Sequence, residues 1–128
     1  DPDFGPDGRI TLFDNRPSGN PTEANGYLGG LGGSRIISID PASRTHSVLF
    51  ASRPGQPFYS SYRGKHQRLA NGNILIAETD AGRAIEVTAA GDIVWSYVNG
   101  WDDNSVAWIM GATRYPASYA EALGAGCP

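Results

Sequence analysis

The sequence predicts an all-β chain built from antiparallel four-stranded blades of a β-propeller, and three observations carry that reading. Apolar segments of about five residues alternate with tight turns. Seventeen Gly and nine Pro in 128 residues make up about a fifth of the chain, without the strict period of collagen. One strand-and-turn pattern occurs twice, and four-stranded units repeated at about 35 to 50 residues are the signature of a propeller.

The second copy is the more legible. His66-Gln67-Arg68-Leu69 leads into the turn Ala70-Asn71-Gly72, followed by Asn73-Ile74-Leu75-Ile76-Ala77-Glu78. Asn-Gly between apolar segments is a strong hairpin signal, because both central residues of a type I′ turn need positive φ. A turn at Asp80-Ala81-Gly82, the segment Arg83-Ala84-Ile85-Glu86-Val87, a turn at Ala90-Gly91-Asp92 and the segment Ile93-Val94-Trp95-Ser96-Tyr97 complete it. Ile85 and Val87 share one face of their strand, as do Ile93, Trp95 and Tyr97 of theirs.

The first copy follows the same plan. Asp7 to Asp14 lies over Asn71 to Glu78 at an offset of 64, Ser34 to Ile39 over Gly82 to Val87 at 48, and Val48-Leu49-Phe50 over Val94-Trp95-Ser96 at 46. The units differ mainly by an insertion from Arg16 to Gly33, rich in Gly, Pro, Asn and Ser, which reads as a long surface or mouth loop. The tail predicts a further strand around Val106 to Met110, broken by Pro116, and a short helical turn at Ala117 to Leu123. The organisation is one partial propeller domain over 1–128, with a blade unit at about 4–53 carrying the inserted loop 16–33, a second at about 64–99, and a closing strand and tail at 100–128.

Propellers close with about four to eight blades. Two alone leave wide apolar faces in water. The chain is therefore expected to be a fragment, a cleaved piece or one part of a ring, with the remaining blades or a partner chain covering the open faces. Ten basic against thirteen acidic residues, with no basic cluster, excludes the electrostatic footprint of a nucleic-acid or anionic-membrane binder. No apolar run approaches the ~20 residues of a membrane span. The lone Cys127 has no partner for an intrachain disulfide and reads as a terminal thiol.

An ordered set of segments carries a family likeness. Gly8-Arg9-Ile10-Thr11-Leu12-Phe13-Asp14-Asn15, the strand from Ser34-Arg35 to Ile39-Asp40, Gln67 to Ile76, Glu86-Val87 with Gly91 to Trp95, and the ending Ala112-Thr113-Arg114-Tyr115-Pro116-Ala117-Ser118-Tyr119 resemble the C-terminal part of the arylsulfotransferase family. The resemblance covers about residues 4 to 119. It implies a six-bladed propeller, exported to the periplasm or outside the cell. The activity it implies moves a sulfuryl group from a phenolic sulfate ester to a phenolic acceptor, through a transiently sulfated histidine and without nucleotide, metal or other cofactor. In the family's pattern that nucleophile precedes the Phe-Asp-Asn segment by roughly one strand, so it is expected outside this chain, and neither His46 nor His66 matches its motif. The alternative is a non-catalytic propeller subunit or binding scaffold in a larger assembly.

No residue of this chain is assigned a catalytic role, and three are candidates for substrate binding. His66, at the start of the innermost strand of a blade beside Lys65 and Arg68, is either an inner-strand histidine satisfied by a hydrogen bond or a channel-facing group for an anionic substrate. Asn15 and Arg16 end a strand at the border of the long loop. They are either turn residues or the edge of the channel mouth, with Arg16 as a bidentate donor to sulfate. Arg35 and Arg83 occupy equivalent places in the two units and read as blade-packing or turn-fixing groups, and His46 reads as a solvated loop residue. The acidic sets Asp1, Asp3, Asp7 and Asp102, Asp103 lack the spacing of a calcium loop, His and Cys spacing makes no zinc site, and no Gly-x-Ser-x-Gly elbow is present.

Overall fold

The computed structural model describes residues 2–15, 33–122 and 124. Two four-stranded antiparallel meanders form its body. The first has the order β1 (Pro2–Phe4), β2 (Ile10–Asp14), β3 (Arg35–Asp40), β4 (Thr45–Ala51), and the second β5 (Lys65–Arg68), β6 (Ile74–Glu78), β7 (Arg83–Val87), β8 (Ile93–Val98). The 64-residue offset carries β2 onto β6 residue for residue, and the 48-residue offset brings Arg35 of β3 onto Arg83 of β7. Both sheets shift register once between the third and fourth strands, at Ile36/Ile37 and at Glu86/Val87.

The sheets pack face to face. Phe13, Ile36 and Phe50 from the first meet Ile74, Ile76, Ile85 and Val87 from the second, with Phe58 of the crossover segment between them. Strand alternation makes this contact head-to-tail. The face that the second sheet turns inward, with Ile74, Ile76, Glu78, Ile85 and Val87, corresponds by the offsets to Ile10, Leu12, Asp14, Ile37 and Ile39, which lie on the outer face of the first sheet. The face that the first sheet turns inward, with Thr11, Phe13, Ile36 and Ser38, corresponds to Leu75, Ala77, Ala84 and Glu86 on the far face of the second. A contact of this type uses two different surfaces of one repeating unit, so each unit offers a surface for another.

The tail covers part of that far face. β9 (Gly100–Asp102) and β10 (Ser105–Val106) form a small hairpin. Asp102 turns it by accepting the Asn104 N–H at 2.9 Å. The strand expected from Val106 to Met110 is thus a two-residue strand at Ser105–Val106, and the chain from 107 onward takes no ladder. Its polar groups are met one by one: the Ala107 N–H donates to the Asn99 carbonyl at 2.8 Å, Asn99 Nδ2 lies 3.2 Å from the Ala107 carbonyl, and Gln67 both donates to the Arg114 carbonyl (3.1 Å) and accepts from its N–H (2.8 Å). Arg114 forms an ion pair with Glu86 and lies over the Trp95 ring. Glu86 is held below the usual carboxylate range first by the Asn73 amide and then by Asn71, with Arg114 adding to them. The expected helical turn is α1 (Ala117–Ala122). Among the described residues no helix is long and apolar enough to cross a membrane.

Candidate functional site

One end of the two sheets gathers several buried polar side chains, among them Ser34, Ser60, Glu78 and Thr79. The C-terminal ends of β2 and β6 and the N-terminal ends of β3, β5 and β7 meet there, and the crossover from β4 to β5 runs across them. Each sheet carries a cross-strand ion pair at this end. Asp14 faces Arg35 in register and accepts from its Nε at 3.0 Å, and Glu78 faces Arg83 and accepts from its Nε at 2.5 Å. The repeated arginines therefore pair across neighbouring strands within their own sheets. Arg83 also donates to the Pro57 carbonyl at 2.6 Å. Glu78 is buried, which pushes its carboxyl up against the opposing pull of the Tyr59 N–H and of Arg83.

Side chains stitch the crossover to both sheets. Ser34 Oγ accepts the Ser60 N–H at 2.9 Å and lies 3.1 Å from the carbonyls of Asn15 and Ser60. Asp80 accepts from the backbone and the hydroxyl of Ser61, both at 2.6 Å. Asn15 donates through Nδ2 to the carbonyls of Ser60 (3.0 Å) and Arg63 (2.6 Å). Its amide donors are therefore spent on the backbone of 60–63. The structure gives Asn15 the task of fixing the rim segment Ser61-Tyr62-Arg63-Gly64.

That rim presents a group the sequence reading did not single out. Arg63 has φ +62, and its guanidinium carbon stands 5.3 Å from the Tyr62 ring centroid and 5.5 Å from that of Trp108. The two rings meet edge to face at 5.4 Å. The only hint in the sequence is the Tyr-Arg-Gly run before β5, because Trp108 arrives from the tail, 45 positions later, and spacing cannot reveal it.

His66 sits behind the rim, on β5, turned into the space between the sheets. Its side chain has no exposure, Nε2 lies 2.8 Å from Thr11 Oγ1 and 3.6 Å from Asp3 Oδ2, and Nδ1 is buried without a hydrogen-bond partner among the described residues. The ring is thus enclosed and within hydrogen-bond distance of Thr11 Oγ1. Burial pushes the imidazole below its ordinary range, against a smaller upward pull from Asp3. The neutral form is thus favoured in the folded state. Above the unfolded pKa both states are neutral and the site has no effect; as pH falls below about 6.5 the unfolded chain takes up the proton first and stability is lost through the folded pKa. Urea unfolding between pH 7.5 and 5 should show a slope from this site of at most about 1.4 kcal/mol per pH unit. His66→Gln, which keeps a donor for Thr11, should flatten it, and an unchanged slope would assign the acid sensitivity elsewhere.

His46 is exposed on β4, where its backbone pairs with Ile39. Arg16, the inserted segment through residue 32, Asp1 and Cys127 lie outside the described residues. Among the described residues no group of three or more His, Cys, Asp or Glu side chains is placed to hold a metal ion.

Comparison with known proteins gives one family. Residues 1–100 match the family described as Arylsulfotransferase (ASST). No curated protein matches the chain.

Proposed function

Because the chain belongs to the arylsulfotransferase family, we propose that it forms the C-terminal blades of a β-propeller that moves a sulfuryl group from a phenolic sulfate ester to a phenolic acceptor. The observation that carries the propeller part is the head-to-tail contact of two equivalent meanders. The outer face of the first sheet repeats the apolar pattern by which the second packs onto it, so a preceding blade has a matching seat. Phe4 and Val48, 78% and 48% exposed, lie at that seat in this chain.

The chemistry asks for a neutral imidazole as nucleophile. Its nitrogen attacks sulfur, the ester S–O bond breaks, and a general acid protonates the departing phenolate. A phenolic oxygen then takes the sulfuryl group as the N–S bond breaks, and the phenol's proton goes to the group that had served as the acid. The nucleophilic histidine of this reading lies outside this chain, as the family's pattern implies, because neither His46 nor His66 matches its motif. In this reading Asn15 and His66 support the rim from behind, and Arg16, next to Asn15, is the cation that a sulfate at the border of the inserted segment meets. The propeller works in the periplasm or outside the cell, with the other blades covering the open faces.

The test uses the full protein as encoded, 4-nitrophenyl sulfate as donor and added phenol as acceptor. Release of 4-nitrophenolate is expected to require the protein and to rise with phenol. No transfer with the folded full protein would refute the reading and favour a non-catalytic scaffold.

A further inference from the structure

Resting on the sulfuryl-transfer reading, we propose that Arg63, Tyr62 and Trp108 form a subsite for an aryl sulfate, the guanidinium taking the sulfate oxygens and the two aromatic faces taking the ring. The backbone is the first reason. A non-glycine residue at positive φ carries strain, and such residues persist where the side chain is needed or the chain must reverse. Among the described residues only Arg44 and Arg63 are of this kind. Arg44 closes the exposed β3–β4 hairpin, where Asp40 caps the turn by accepting the Ala42 N–H. Arg63 lies in the crossover, with its carbonyl gripped by Asn15 and with Gly64 wedged against Phe13 behind it.

Charge is the second reason. Arg9, Arg35, Arg53, Arg68, Arg83 and Arg114 each have a carboxylate within ion-pair distance. Among the described residues Arg63 and the hairpin's Arg44 have none, and Arg63 Nη1 meets the soft Met110 sulfur at 3.3 Å. A guanidinium stacked on rings is pre-oriented, weakly hydrated and keeps its in-plane donors for a bidentate anion. Tyr62 and Trp108 remain 41% and 54% exposed, so ring surface is open beside the charge. A compact anion joined to an aromatic ring satisfies both halves. Inorganic sulfate satisfies one, and an uncharged phenol the other.

The test is binding of 2-naphthalenesulfonate to the full protein, read by calorimetry and tryptophan fluorescence. Its carbon–sulfur bond keeps it from acting as a donor. Arg63→Gly removes the guanidinium while suiting the left-handed backbone, so its Tm should equal or exceed that of the wild type while its Kd rises at least about tenfold. Arg63→Lys should fall between, because it keeps the charge without the planar fork. The same glycine variant should raise KM for 4-nitrophenyl sulfate more than it lowers kcat. Wild-type affinity retained in Arg63→Gly, no sulfonate binding by the wild type, or equal affinity for 2-naphthol would overturn the subsite. Transfer by the wild type with unaltered binding in Arg63→Gly removes the subsite and leaves the sulfuryl-transfer reading standing. Sulfonate binding lost in Arg63→Gly in a protein without transfer does the reverse.

Discussion

Replacing Phe58 by alanine is expected to cost about 4 kcal/mol of folding free energy, the largest effect of any single side chain in the described structure. Phe58 is fully buried although it belongs to no strand. Its ring lies 5.2 Å from that of Phe13 and 5.0 Å from that of Phe50, both tilted by 59°. It therefore fills the space at which the sheets and their crossover meet. The backbone around it is fixed by Ser52, whose hydroxyl accepts the Phe58 N–H at 2.9 Å and lies 2.8 Å from its carbonyl. That anchoring limits collapse into the cavity an alanine would leave, which places the cost toward the upper part of the range for large-to-small changes. Phe58→Leu keeps most of the volume and should lose only about 1.5 kcal/mol. Urea midpoints of the two variants check this. An alanine loss below about 1 kcal/mol would mean that the sheets close over the gap and that Phe58 is not their wedge.

Gly64→Ala is the second large effect, expected at about 3 kcal/mol. Two costs add. The backbone has φ +92, where an L side chain is strained by about 1–2 kcal/mol, and a Cβ would come within 2.6 Å of the Phe13 ring. Phe13 has no room to retreat, because Phe58 stands on it, so overpacking adds a further 1–3 kcal/mol, roughly. Gly72→Ala separates the terms. It has φ +85 in the β5–β6 turn with nothing within 4 Å of the added atom, and should lose only the backbone part. Equal losses at the two positions would show that the Phe13 ring yields freely. Because Gly64 follows Arg63, its alanine variant should also displace the rim and weaken arylsulfonate binding beyond what the fraction folded explains.

Local chemistry made much of the fold legible. Asn71-Gly72 and Asp7-Gly8 mark equivalent turns since few residues adopt positive φ, and alternation fixed which residues of β7 share a face, whereas the register shift at Glu86/Val87 sets Ile93 of β8 on the Val87 side, opposite Trp95 and Tyr97. The repeat offsets carried the same reading to β2 and β3, and the Phe13-Asp14-Asn15 segment pointed to the family. The strand expected after Val106 was misread because Trp108 and Met110 alternate with other residues as a strand would, whereas the chain there lies against Gln67, Asn99 and Glu86 and gives its polar groups to them. The backbone of Arg114 is answered by Gln67, 47 positions away, and no local pattern records that.

The candidate site divides along the same line. The sequence by itself determined two equivalent meanders, their turns and the family, because turns and alternation depend on neighbours a few residues apart. Only the tertiary structure decided that Asn15 grips the backbone of Arg63, that His66 turns inward to Thr11, and that Trp108 comes beside Arg63. These are contacts across 48, 55 and 45 positions, created when two sheets and a returning tail bury their apolar faces together.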